Sequence, residues 1–146
     1  MSNLEMIPTA AADTRSGRTE TTTGAVTGMP RGILRLEGGA VLAAAAALYT
    51  QQGWSWWLFG ILFLAPDIFM LGYVAGPRTG AAIYNIGHTY LAPGALAAIG
   101  MFIASGPVLA IAAIWVAHIG FDRLLGYGLK YPGGFHDTHL AMTGRG

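Results

Sequence analysis

Four histidines and seven acidic residues are the groups in this 146-residue chain able to do acid, base or metal chemistry, and no cysteine adds a thiolate. His118 and Asp122 are four apart and Asn85 and His88 three apart, so on a helix each pair shares one face. Imidazole combined with carboxylate suits zinc, iron or manganese. The expected ligands are His88, His118 and Asp122, with Asp67 and Glu37 as further ligands or as the catalytic carboxylates. His139 is placed to close the site from the C-terminal tail, while Asn85, Arg123 and Tyr84 are expected to hydrogen-bond around the ligands. With one coordination position open, such a metal lowers the pKa of its bound water toward about 7 and supports hydrolysis. With two metals and oxygen the same ligands would support oxidation, and no HExxH or ExxH motif is present to decide.

The elements that must position these groups are apolar. Hydrophobic residues make up 53% of the chain and charged ones 10%, with a mean hydropathy of +0.50, against about a quarter charged in a soluble domain. Apolar stretches at 33–50, 54–74, 79–104 and 107–127 are each near the roughly 20 residues that cross a bilayer as a helix. The expectation is an all-α fold, a four-transmembrane-helix bundle over residues 31–130, its third helix kinked at Pro93. The first span is the weakest, with Arg35 and Glu37 in its opening turns. Residues 1–30 read as a disordered tail without signal-peptide character, and 131–146 as a polar tail able to fold back under the bundle. Small residues four apart, Ala43 and Ala47, Gly72 and Gly76, Gly100 and Ala104, are expected at close helix contacts.

All eight basic residues fall on one side of a four-span topology, which puts both termini in the cytosol. Trp54, Trp56 and Trp57 mark the outer interface, and Tyr73, Tyr84, Tyr127 and Tyr131 the inner one. Counted along the helices, Glu37, Asp67, Asn85 and Asp122 lie roughly 6–9 Å from the cytosolic ends and His88 and His118 about 13 Å. Every span therefore adds a polar group to one layer, where isolated charges are costly and turn inward to pair, bind an ion or line a wet cavity.

Two other classes compete. A proton-linked carrier would use the kinked span and the buried His and Asp groups, and one this small would form a homo-oligomer; the outer half, without an ionisable residue, argues against a complete relay. A structural protein would pair Glu37 or Asp122 with Arg35 or Arg123, bury satisfied histidines and present Lys130 and Arg78 to anionic lipids of the bilayer. Nucleic acid is excluded as a partner, since the net charge is +1 and the basic residues form no run.

Pro66-Asp67 with Leu71-Gly72-Tyr73, Tyr84-Asn85 with His88, His118-x-Gly120-x-Asp122-Arg123 with Leu125-Gly126-Tyr127-Gly128-Leu129-Lys130, and Thr138-His139-Leu140 together resemble a family of small bacterial multi-pass membrane proteins known only as a domain of unknown function. That resemblance covers about residues 31–140 and implies a bacterial inner-membrane location. A looser likeness, carried by a helical His with Arg123 and Thr138-His139, is to small membrane-bound metal-dependent hydrolases.

Overall fold

The computed structural model describes residues 24–140, so the expected N-terminal tail lies outside the described residues up to position 23, as do positions 141–146 of the C-terminal tail. The elements are α1 (Gly28–Gln51), α2 (Trp56–Phe63), a 3-10 helix (Ala65–Ala75), α3 (Pro77–Gly87), α4 (Leu91–Phe102) and α5 (Gly106–Leu125). Helix α1 thus begins three residues inside the expected tail. Among the described residues the β structure is one isolated bridge, Lys130 to Thr138.

Local chemistry sets these boundaries. Ser55 caps α2, its hydroxyl accepting the Trp57 N–H at 3.2 Å. Pro66, which has no N–H to extend the α ladder, sits where the winding tightens. A 3-10 run of 11 residues is long for a form usually limited to a few residues. Its three-residue turn aligns Asp67, Met70 and Tyr73 on one edge and Pro66, Phe69 and Gly72 on another. Helix α5 ends at Gly126 in the left-handed conformation, φ 95°, with Tyr127 N–H returning to the Asp122 carbonyl.

Among the described residues three helices are long and apolar enough to cross a membrane: α1, the continuous Trp56–Ala75 segment and α5. The expected third span is divided into α3 and α4 by His88–Tyr90. The discontinuity falls one turn before Pro93, which is buried in the first turn of α4. A proline excludes the carbonyl four residues earlier, here Thr89, so the chain interrupts its ladder ahead of the ring and not at it. Large apolar side chains such as Trp57, Val74 and Phe102 are almost fully exposed around the exterior, an inversion that water would not tolerate over so wide a surface.

Helix α1 packs along α5, the 3-10 helix along α3, and α4 against α5. The α1–α5 crossing is backbone on backbone: a Cβ on Gly120 would overlap the Gly38 carbonyl and the Leu42 N–H, and one on Gly38 would strike Gly120. Ala43 and Ala47, expected at a contact, are exposed; the contact face of α1 carries Gly38, Ala45 and Tyr49. Gly72 and Gly100 do sit at close contacts, with Ile83 and with Leu109. Beyond α5 the chain folds back to bury Leu140 completely.

Candidate metal centre

Four side chains from three places in the fold meet at one point. Asp67 comes from the first turn of the 3-10 helix, His88 caps the end of α3, and His118 and Asp122 occupy successive turns of α5. The two histidine Nε2 atoms are 3.2 Å apart. Asp67 Oδ1 lies 3.7 Å from His88 Nε2 and 3.6 Å from His118 Nε2, and Asp122 Oδ2 lies 3.6 and 3.7 Å from the same two atoms. Two triangles therefore share the His88–His118 edge. The histidine side chains are 3% exposed, Asp122 15% and Asp67 37%, so the cluster is closed except beside Asp67.

The tautomer of His88 is fixed by its own turn. Its Nδ1 faces the Tyr84 carbonyl at 3.0 Å; a carbonyl only accepts, so Nδ1 carries the hydrogen and the Nε2 lone pair points into the cluster. The ring is stacked on Tyr84, centroids 3.7 Å apart and 11° from parallel, while the Tyr84 hydroxyl donates to Asp122 Oδ2 at 3.3 Å. His118 is gripped edge-on by Phe63 at 5.3 Å, and its Nδ1 is buried without a hydrogen-bond partner among the described residues. Two imidazole nitrogens at 3.2 Å with two carboxylates flanking them need a shared proton or a cation between them.

Asp67, His88 and His118 are a group that could hold a metal ion, their ligand atoms lying within 4.8 Å of one another. The fit can be tested on size. Donors about 2.0–2.2 Å from a tetrahedral centre are about 3.3–3.6 Å apart, whereas neighbouring donors of an octahedral ion at similar bond lengths are about 2.8–3.1 Å apart. The edges of 3.2, 3.6 and 3.7 Å bracket the tetrahedral range and all exceed the octahedral one.

The remaining expected site residues lie elsewhere. Glu37 is exposed on α1 and lines a separate groove with Arg123, Tyr90 and Leu140. It stands one residue, about 100° of helix rotation, from Gly38, the position that faces α5. His139 does not reach the cluster, because both its ring nitrogens are engaged: Nε2 accepts from Arg123 Nη1 at 2.7 Å, so Nδ1 carries the hydrogen and faces the Leu129 backbone, 3.5 Å from its carbonyl oxygen. Burial, with the Arg123 charge beside it, pushes the His139 pKa below its ordinary value. Asn85 turns from the cluster to the tail, its Oδ1 accepting the Lys130 N–H at 2.7 Å and its Nδ2 donating to the Lys130 carbonyl at 2.9 Å. Tyr84 alone of the expected outer partners touches the cluster.

Lys130, expected at lipid headgroups, is instead buried in a cage of rings. Its Nζ lies 3.2 Å from the Phe135 ring centroid, 4.6 Å from that of Tyr84 and 5.5 Å from that of Tyr73, and donates to the Phe135 carbonyl at 3.0 Å. Burial lowers its pKa, opposed by the charges of Asp122 and Asp67. The glycine-rich tail gave no periodicity from which this inward turn could be read.

The model of one family matches residues 31–143, a stretch that contains the whole cluster and the docked tail. The chain belongs to the family described as Domain of unknown function (DUF4260). No curated protein and no solved structure matches the sequence. The DUF4260 match agrees with the resemblance read from the motifs, whereas the likeness to metal-dependent hydrolases rests on those motifs alone.

Proposed function

We propose that this DUF4260 protein is a membrane metalloprotein in which Asp67, His88 and His118 hold one divalent ion of zinc type, with a coordination position left for water, and that it hydrolyses a lipid or other amphiphile. The observation that carries this reading is the tetrahedron-sized triangle of donors, with His88 already in the tautomer a metal requires. A metal in that position supplies a water acidic enough to act near neutral pH. The chain's own residues supply the rest: Tyr84 orients His88 and Asp122, and Asp122 is the carboxylate left to accept a proton. The charge distribution and the apolar helices support four crossings of a bacterial inner membrane with both ends in the cytosol, α3 and α4 together forming the third crossing. The broken third span favours one alternative, a proton-linked carrier, because discontinuous helices often line substrate paths.

The test is elemental analysis of the detergent-purified full chain beside His88→Ala, His118→Ala and Glu37→Ala. Stoichiometric metal in the parent and in Glu37→Ala, lost in both histidine variants, is the expected result. A parent that stays metal-free after incubation with zinc, iron or manganese overturns the metal centre and leaves proton-dependent uptake in sealed vesicles as the next assay.

A further inference from the structure

The cluster does not stand alone in its seam. Between the 3-10 helix and α5, a groove of about 180 Å³ is lined by Leu62, Ala65, Pro66, Phe69, Ile111 and Trp115, without a charged group. On α5 the groove and the cluster form one stripe: Ile111, Trp115, His118 and Asp122 are spaced 4, 3 and 4 residues apart and fall within about 60° of one another around the axis. On the 3-10 helix, Pro66 and Phe69 line the groove from the edge next to the one that carries Asp67, the most exposed residue of the cluster. The groove therefore lies alongside the cluster and runs about 10 Å along α5 away from His118. Its wall is fixed, since Trp115 Nε1 donates to the Gly87 carbonyl at 2.7 Å and its ring is stacked on Phe69.

Size and polarity select the occupant. An apolar cavity of about 150 Å³ accepts a guest the size of benzene, while pockets for larger organic ligands run about 300–1,000 Å³. This groove admits one hydrocarbon chain and has no polar side chain to hold a sugar, a nucleotide or a headgroup. We propose that it binds the chain of a single-chain amphiphile whose oxygen-donor polar end reaches the Asp67–His88–His118 cluster. The assignment rests on the metal-centre reading and names the substrate class of that same site.

The test uses the full chain in lipid nanodiscs, loaded with cobalt(II), and two probes. Acetohydroxamate, which has a metal-binding head and no chain, reports the cluster through the cobalt absorption spectrum. A long-chain alkyl hydroxamate with a diazirine halfway along its chain reports the groove through photo-crosslinks located by mass spectrometry. The expected result is a spectral shift with both probes, crosslinks concentrated on Leu62, Phe69 and Ile111, and at least a tenfold loss of those crosslinks in Ala65→Phe, whose ring fills the groove. Ala65 is exposed, and an unchanged acetohydroxamate shift in that variant shows that the cluster is intact. A shift with acetohydroxamate combined with crosslinks scattered over the lipid-facing helices, or undiminished in Ala65→Phe, overturns the groove and leaves the metal centre standing. No cobalt spectrum in the parent overturns both, because the polar end then has nothing to bind.

Discussion

Replacing Asn85 by alanine is expected to release the C-terminal tail without unfolding the bundle. Asn85 makes two hydrogen bonds, 2.7 and 2.9 Å long, to the N–H and C=O of Lys130, a residue that is 8% exposed. Alanine removes both partners and leaves two backbone groups facing a space that water does not readily enter. At a net value of about 1 kcal/mol per bond, plus about 1–2 kcal/mol for the groups left unsatisfied, docking weakens by about 3–4 kcal/mol. With every 1.4 kcal/mol worth a factor of ten, the open tail becomes about 100- to 1,000-fold more populated. Hydrogen exchange read by mass spectrometry in detergent measures this directly: the amides of Tyr131, Asp137 and His139, each hydrogen-bonded within the tail, should exchange faster by that factor. Peptides from α1 and α5 should be unchanged. Tail exchange equal to the parent's would refute the clamp, and an equal rise in α1 and α5 would show that Asn85 supports the whole bundle instead.

The other expectations are more local. His139 must be neutral to accept from Arg123, and its folded pKa is lowered by burial and by that arginine; tail docking should therefore be intact above the free imidazole value of about 6.5 and weaken as pH falls below it toward the folded pKa. Exchange protection of the tail should drop between about pH 7.5 and pH 5 in the parent and stay flat in His139→Gln, which keeps an acceptor that does not titrate. Gly120→Val should destabilise the α1–α5 crossing by about 1–3 kcal/mol or more through overlap with the Gly38 carbonyl, lowering the thermal midpoint in detergent; Gly39→Ala, which meets only a flexible Leu124 side chain, should change it little. Tyr84→Phe keeps the ring under His88 and loses only the hydroxyl on Asp122, which is not a ligand, so metal affinity by competition with a chelator should fall by less than about tenfold, the loss expected when a ligand's own partner is removed, and the fold is retained.

Depth was legible in the sequence and direction was not. Counting residues from helix ends placed Asp67, His88, His118 and Asp122 in one layer, and the four-residue spacing of His118 and Asp122 put both on one face of α5. The same count placed Glu37 in that layer, yet α1 is apolar on all sides from Gly38 to Tyr49, so no amphipathic stripe fixed its rotation. The contact face proved to run through Gly38, Ala45 and Tyr49, which turns Glu37 away from the cluster. The change from α to 3-10 winding after Leu64 moves Asp67 by tens of degrees relative to an α-helix, and a proline alone does not announce it. The tail was the least legible segment: Asn85, Lys130 and His139 find their partners through contacts between positions 10 to 45 residues apart, and no local rule encodes those.

The central claim is that two imidazoles and a carboxylate converge on one ion, and X-ray absorption at the metal edge of the purified full chain tests it most directly. The expected spectrum of the parent has a first shell of nitrogen and oxygen donors at about 2.0–2.1 Å with the multiple-scattering signature of two histidines, and His118→Ala carries no stoichiometric metal edge. A bound metal whose spectrum contains no imidazole, or the same spectrum in His118→Ala as in the parent, would contradict it.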